Sequence, residues 1–138
     1  MAKFSFKEVA STVFEAKPEG LDPINFTLRP INADTMLYYY EFETTGVYSE
    51  MLRVKLAIAT QRITGWKGIE DENGELVPYT ADNLFKLLNH KDFLPYMFLV
   101  GDHTIEEIRK AENLKAAEGS EVGKPKKSTK ATEEQPSS

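Results

Sequence analysis

Two hydrophobic periods alternate along this chain, and the switches between them mark its elements. Ile24, Phe26 and Leu28 alternate with Asn25, Thr27 and Arg29, the pattern of a half-buried strand, and Pro30 ends it. Residues 4–16 carry Phe4, Phe6, Val9 and Val13 less regularly, and a short strand containing Val13 and Phe14 is expected there. Pro18, Gly20 and Pro23 break the chain between the two, so they should form a hairpin. Asn32 can cap a helix starting at Ala33, with Met36, Leu37, Tyr39 and Tyr40 as its apolar positions. Ser49 can cap a second helix carrying Met51, Leu52, Leu56, Ala59 and Ile63. Arg53, Lys55, Gln61 and Arg62 would be its polar side.

Residues 63–77 read as a β-ribbon. Asn73-Gly74 is a two-residue hairpin signal, because both residues tolerate positive φ. Thr80 can cap a helix with Leu84, Leu87 and Leu88. A further helix should begin near Phe93, with Pro95 in its first turn and Gly101 at its end. Thr104 to Glu107 has the form of a capping box, followed by Ile105, Ile108, Ala111 and Leu114 at spacing three. Gly119 closes this last helix, which runs out near Ala117. The expected order is β-β-α-α-β-β-α-α-α: an α+β fold, mainly helical, with a small antiparallel sheet of hairpins. Residues 1–117 form one domain. Residues 118–138 hold Val122 as their one larger aliphatic side chain, too little to offset chain entropy, and are expected to be a disordered polar tail.

Charge narrows the function. The 138 residues carry a formal net charge of -5, which opposes binding to phosphate backbones, so nucleic acid is not expected as a ligand. Lysines 124 to 130 serve to solvate the tail. The absence of cysteine excludes disulfides and thiolate metal sites. No run has the length of a membrane span, and the first residues lack a signal-peptide core, so a cytoplasmic protein is expected.

Catalytic chemistry finds no constellation. His90 and His103 share no metal-ligand spacing, and no histidine pairs with a nucleophile. Asp71, Asn73 and Gly74 resemble part of a calcium loop, but with Gly74 at the sixth position the first falls on Ile69 and the twelfth on Thr80. A non-enzyme without cofactor or metal is therefore expected. Trp66, between Gly65 and Gly68, is either a binding anchor or the plug that seats the ribbon on the helices. The glycines, which allow close backbone approach, favour the plug. Tyr38, Tyr39 and Tyr40 cannot all bury their rings on one helix face, so at least one should be exposed; tyrosine is favoured at interfaces, which makes the three the candidate partner-binding residues.

The segment from Leu56 to Leu88 resembles the small tail assembly chaperones of long-tailed bacteriophages. An apolar helix leads into Ile63-Thr64-Gly65-Trp66-Lys67-Gly68-Ile69, then the acidic turn Asp71-Glu72-Asn73-Gly74, then Pro78 and a leucine-bearing helix. Gly65, Trp66, Gly68, Asn73, Gly74 and Pro78 are the signature. The resemblance implies a non-enzymatic protein that binds and solubilises the tape measure protein and helps recruit tail tube protein. It also implies self-association, a frameshifted longer form of the chain, action in the host cell cytoplasm, and absence from the mature virion. A structural virion component, such as a tail tube or tail-completion subunit, is the alternative.

Overall fold

The structure, a computed structural model, describes residues 1–123. It contains β1 (Thr12–Ala16), β2 (Ile24–Leu28), α1 (Ala33–Thr44), α2 (Tyr48–Arg62), β3 (Ile63–Lys67), α3 (Ala81–Leu87), a single 3-10 turn (Lys91–Phe93) and α4 (Leu94–Gly123). The strands form one antiparallel sheet in the order β1-β2-β3. The fold is α+β, as its sequence pattern predicts. The chain divides between Ile105 and Glu106, inside α4, into two compact units.

In the first unit the sheet is one-sided. Phe26 stands across from Phe14 on one neighbour and from Trp66 on the other. Ala16, Ile24, Phe26, Leu28 and Trp66 are buried, whereas Val13, Glu15, Asn25 and Lys67 on the opposite face are exposed. That alternation is how an antiparallel sheet covers a core with one face only. Ala59, Ile63, Ile69, Leu84, Phe93, Tyr96, Met97 and Val100 complete the cluster. Phe26 meets Phe93 and Tyr96 edge-on, at centroid distances of 6.2 and 6.4 Å.

The expected caps at Asn32 and Thr80 form. Asn32 Oδ1 accepts from the Thr35 amide at 3.1 Å, and Thr80 Oγ1 from the Asn83 amide at 2.9 Å. Ser49 does not cap α2. The helix begins one residue earlier, at Tyr48, and Thr45 organises the turn before it. Thr45 Oγ1 accepts from the Val47 amide at 3.2 Å and donates to Glu50 at 2.6 Å.

No loop separates α2 from β3, and Arg62 holds this junction. It is fully buried rather than part of a polar helix face. Its Nε and Nη2 donate to the Arg29 carbonyl at 2.9 and 2.7 Å, and its Nη1 donates to Thr104 Oγ1 at 2.9 Å. The Arg29 amide donates to the Arg62 carbonyl at 2.8 Å. The ends of β2 and α2 are thereby fixed together, with Thr104 of α4 as a third point.

α4 is one helix where the sequence predicts two. Gly101 lies inside it, and a Cβ there would stand 2.8 Å from Lys55 Cβ and 2.9 Å from Lys55 Cα and O. Gly101 is a close-packing residue, not a helix stop. Thr104 is buried in mid-helix and spends its hydroxyl on Arg62 instead of opening a capping box. In the second unit Ala111 and Leu114 are exposed, so the expected apolar stripe is incomplete. The helix also continues past Ala117 and Gly119 to Gly123. Ala116, Ala117 and Glu118 are strong helix formers, and an interior Gly costs only about 1 kcal/mol. The remainder of the expected disordered tail, residues 124–138, lies outside the described residues.

Candidate functional site

The Trp66 segment is built as a support. Trp66 is buried, and its indole N–H donates to the Val77 carbonyl at 2.8 Å. Its ring meets Tyr79 edge-on at 5.0 Å, and the Tyr79 hydroxyl reaches the Ile63 carbonyl at 3.3 Å. Gly68 has φ of 100°, and a Cβ there would stand 3.2 Å from the Pro23 carbonyl oxygen. A Cβ at Gly65 would stand 3.4 Å from Thr27 Cβ and Oγ1, an ordinary contact, so no close backbone approach demands glycine there. Pro78 is exposed, and its carbonyl accepts from Asn83 Nδ2 at 2.9 Å.

The ribbon expected over residues 63–77 is split. β3 pairs with β2, and beyond it only a bridge between Glu70 and Leu76 remains. The turn is longer than a two-residue Asn-Gly hairpin. The Asp71 amide donates to the Glu75 carbonyl at 2.8 Å, and the Asp71 carboxylate accepts from the amides of Asn73 and Glu75 at 2.9 and 3.0 Å. Gly74 supplies the left-handed residue, at φ of 80°. A carboxylate that can bind two amides favours this wider loop.

The tyrosine run divides around α1. Tyr39 is buried and its hydroxyl donates to Glu43 at 3.2 Å, so it is not part of an open surface. Tyr38 is half-buried, and Tyr40 is exposed. Leu37, three residues before Tyr40 and therefore on the same side of the helix, is 66 % exposed. Val47 and Tyr48, where the chain enters α2, are exposed too. Leu37, Tyr40, Val47 and Tyr48 thus leave apolar side chains open on α1 and at the start of α2.

A second feature was not anticipated from sequence. The turn at Asp22, the chain from Gly68 to Asp71 and the 3-10 segment enclose a cleft of about 520 Å³. Ile24, Ile69, Leu87 and Phe93 are its apolar lining, and Asp22, Glu70, Asp71 and Asp92 its acidic one. An adjoining cleft of about 660 Å³ shares Ile69, Glu70, Asp71, Leu87 and His90, and adds Glu72, Val77 and Lys86. Together they make one groove. No ion pair among the described residues neutralises Asp22, Glu70, Asp71, Glu72 or Asp92. Tyr96 also lines the groove, its hydroxyl donating to the Asp22 carbonyl. Burial raises the Tyr96 pKa above the ordinary 10.0, and the charges of Asp22 and Asp92 raise it further. The acidic turn is visible in the sequence, but its meeting with Asp22 and Asp92 depends on tertiary structure.

The histidines take separate places. His90 is exposed before the 3-10 turn, and His103 lies within α4 with its ring stacked on Phe14 at 4.2 Å. Among the described residues no group of three or more His, Asp or Glu could hold a metal ion. No helix among them is long and apolar enough to cross a membrane.

The described residues thus present a groove with an acidic lining, exposed apolar residues on α1 and at the start of α2, and a buried aromatic support. Comparison with known families gives the origin of the chain. The model of a family described as YdaY prophage protein matches residues 44–123, more than half of the chain. The protein belongs to this prophage family and is phage-derived. The matched span includes the whole Trp66 segment and ends with α4; it leaves out β1, β2 and the tyrosines of α1. No curated protein and no solved structure matches the chain.

Proposed function

We propose that the protein is a non-enzymatic tail assembly chaperone, which binds and solubilises the phage tape measure protein and helps recruit tail tube protein. It would act in the host cell cytoplasm and be absent from the mature virion. The observation that carries this reading is the Trp66 segment. Its order of helix, Trp-Gly stretch, acidic turn, proline and leucine-bearing helix resembles that of tail assembly chaperones, and it lies within the span that the prophage family shares. The open apolar surface of α1 and α2, around Leu37, Tyr40 and Tyr48, supports it physically. Exposed apolar helix surface is what an amphipathic helical client needs in order to be shielded from water. The acidic charge would keep the resulting complex dispersed.

Co-expression with the tape measure protein of the same prophage tests the proposal. The client is expected in the soluble fraction, co-purifying with the chaperone, and a Leu37→Ser/Tyr40→Ser variant should return it to the pellet. A client that stays insoluble with the wild-type protein, with no complex by pull-down, would sink the reading. Purified particles containing this chain at stoichiometric levels would favour a tail tube or tail-completion subunit instead.

A further inference from the structure

The groove and the first residues of the chain are complementary. Residues 1–11 form no secondary structure, and every one is exposed. Phe4 and Phe6 are 81 % and 97 % exposed. Single exposed apolar residues are ordinary, but two phenylalanines two positions apart, flanked by Lys3 and Lys7, form a pattern. In an extended conformation the two rings project to one side and the two lysines to the other. The groove offers a matching surface: the accessible edges of the core residues Ile24, Ile69 and Phe93, 4–8 % exposed, as its floor, and an acidic rim at Glu70, Asp71 and Asp92 without ion pairs among the described residues.

We infer that the arm of one copy docks in the groove of a second copy, with Phe4 and Phe6 on the floor and Lys3 and Lys7 against the acidic rim. The topology favours a second copy over the chain's own groove. The arm leaves the sheet where Thr12 pairs with Leu28, whereas the groove begins at Ile24, at the other end of that hairpin. Its own arm would have to turn back at Ser11 and run the length of β1, about 13 Å. Residues 1–13 contain no Gly, Pro, Asn or Asp, the stronger turn formers; Ser5 and Ser11 are the turn residues they hold. The contact joins two different surfaces, so it is heterologous and repeats head to tail, closing into a ring or extending along a filament. This inference does not rest on client binding.

Sedimentation velocity on the full chain over a range of concentrations tests it. The wild-type protein is expected to associate as concentration rises. Phe4→Ser/Phe6→Ser, Lys3→Glu/Lys7→Glu and Glu70→Lys/Asp92→Lys should each weaken association about tenfold or more. Mixing Lys3→Glu/Lys7→Glu with Glu70→Lys/Asp92→Lys should restore a contact, because a reversed arm then meets a reversed rim. The arm substitutions leave the core untouched, and unchanged Trp66 emission would show that the rim variant is folded. A wild-type chain monomeric at every concentration overturns the inference. So do arm variants that associate like the wild type, or an association that survives the rim reversal in folded protein.

Discussion

Gly101→Ala adds one methyl group where α4 crosses α2, and the structure says it cannot fit. The new Cβ would stand 2.8 Å from Lys55 Cβ and 2.9 Å from Lys55 Cα and O. Favourable carbon contacts lie at about 3.5–4.0 Å, so the overlap is roughly 0.7–1 Å. The offending atoms are backbone or bonded to it, so no rotamer change at Lys55 relieves them. α4 must move off α2, and Met97 and Val100, both fully buried on α4, move with it. Overpacking of this kind costs about 1–3 kcal/mol, and more where backbone cannot yield. Replacing Gly by Ala inside a helix returns about 1 kcal/mol. The packing cost should win, leaving a net loss of up to about 2 kcal/mol. Urea titration followed by Trp66 fluorescence measures it as a lower midpoint at unchanged slope. Gly46→Ala is the control: a Cβ there meets nothing within 4 Å, and no loss is expected. A Gly101→Ala protein with an equal or higher midpoint would mean that helix propensity governs the site, and the close-packing argument would fall.

Arg62→Met keeps most of the buried volume but leaves the Arg29 carbonyl and Thr104 without their donor; a loss of about 2–4 kcal/mol is expected in the same titration. Trp66→Phe retains a ring but leaves the Val77 carbonyl without the indole donor, which should cost about 1–3 kcal/mol by thermal melting followed by circular dichroism. Gly74→Ala places a Cβ at φ of 80° and should cost about 1–2 kcal/mol, while Gly74→Asn should cost less, since Asn tolerates the left-handed region. For Tyr96 the folded pKa lies above the unfolded one, so the folded state holds its proton more tightly. Its contribution is complete below pH 10 and is lost as pH rises through the folded pKa. Stability of the wild type should therefore fall more steeply above pH 10 than that of Tyr96→Phe, in urea midpoints taken from pH 8 to 11; parallel curves would argue against a buried, negatively surrounded hydroxyl.

Local signals carried most of the fold. The period-two run ending at Pro30 is β2, and the Asn32 and Thr80 caps form where their side chains can reach an amide three residues on. Failures came where a distant residue decides. Gly101 reads as a helix stop until Lys55 of α2 stands beside it, and Thr104 reads as a cap until Arg62 claims its hydroxyl. Arg62 itself has no sequence mark of burial, because its partners are Arg29, thirty-three positions earlier, and Thr104, forty-two later. For the candidate site the same division holds. A run of three tyrosines shows that some must be exposed, but not that Tyr39 is the one turned inward. The acidic turn is plain in the sequence, whereas its pairing with Asp22 and Asp92 across a common apolar floor is a product of the fold.

The boundary of the family match bears on what the protein is as a folding unit. The match begins at residue 44, yet β3, inside it, has β2 as its strand partner, and β2 lies outside it. Trp66 packs opposite Phe26, and Arg62 donates to the carbonyl of Arg29. Without these the matched segment would expose one edge of β3 and remove the carbonyl that accepts from Nε and Nη2 of the buried Arg62, each a substantial cost. The shared segment is therefore the larger part of a core rather than a core complete in itself. The remainder comes from a hairpin that the family signature does not describe. The same hairpin carries Asp22 and Ile24 into the groove and leads back to the arm with Phe4 and Phe6. The matched span holds the support around Trp66 and most of the groove lining, from Gly68 to Tyr96, whereas Asp22, Ile24 and the Leu37 and Tyr40 side of α1 lie before it.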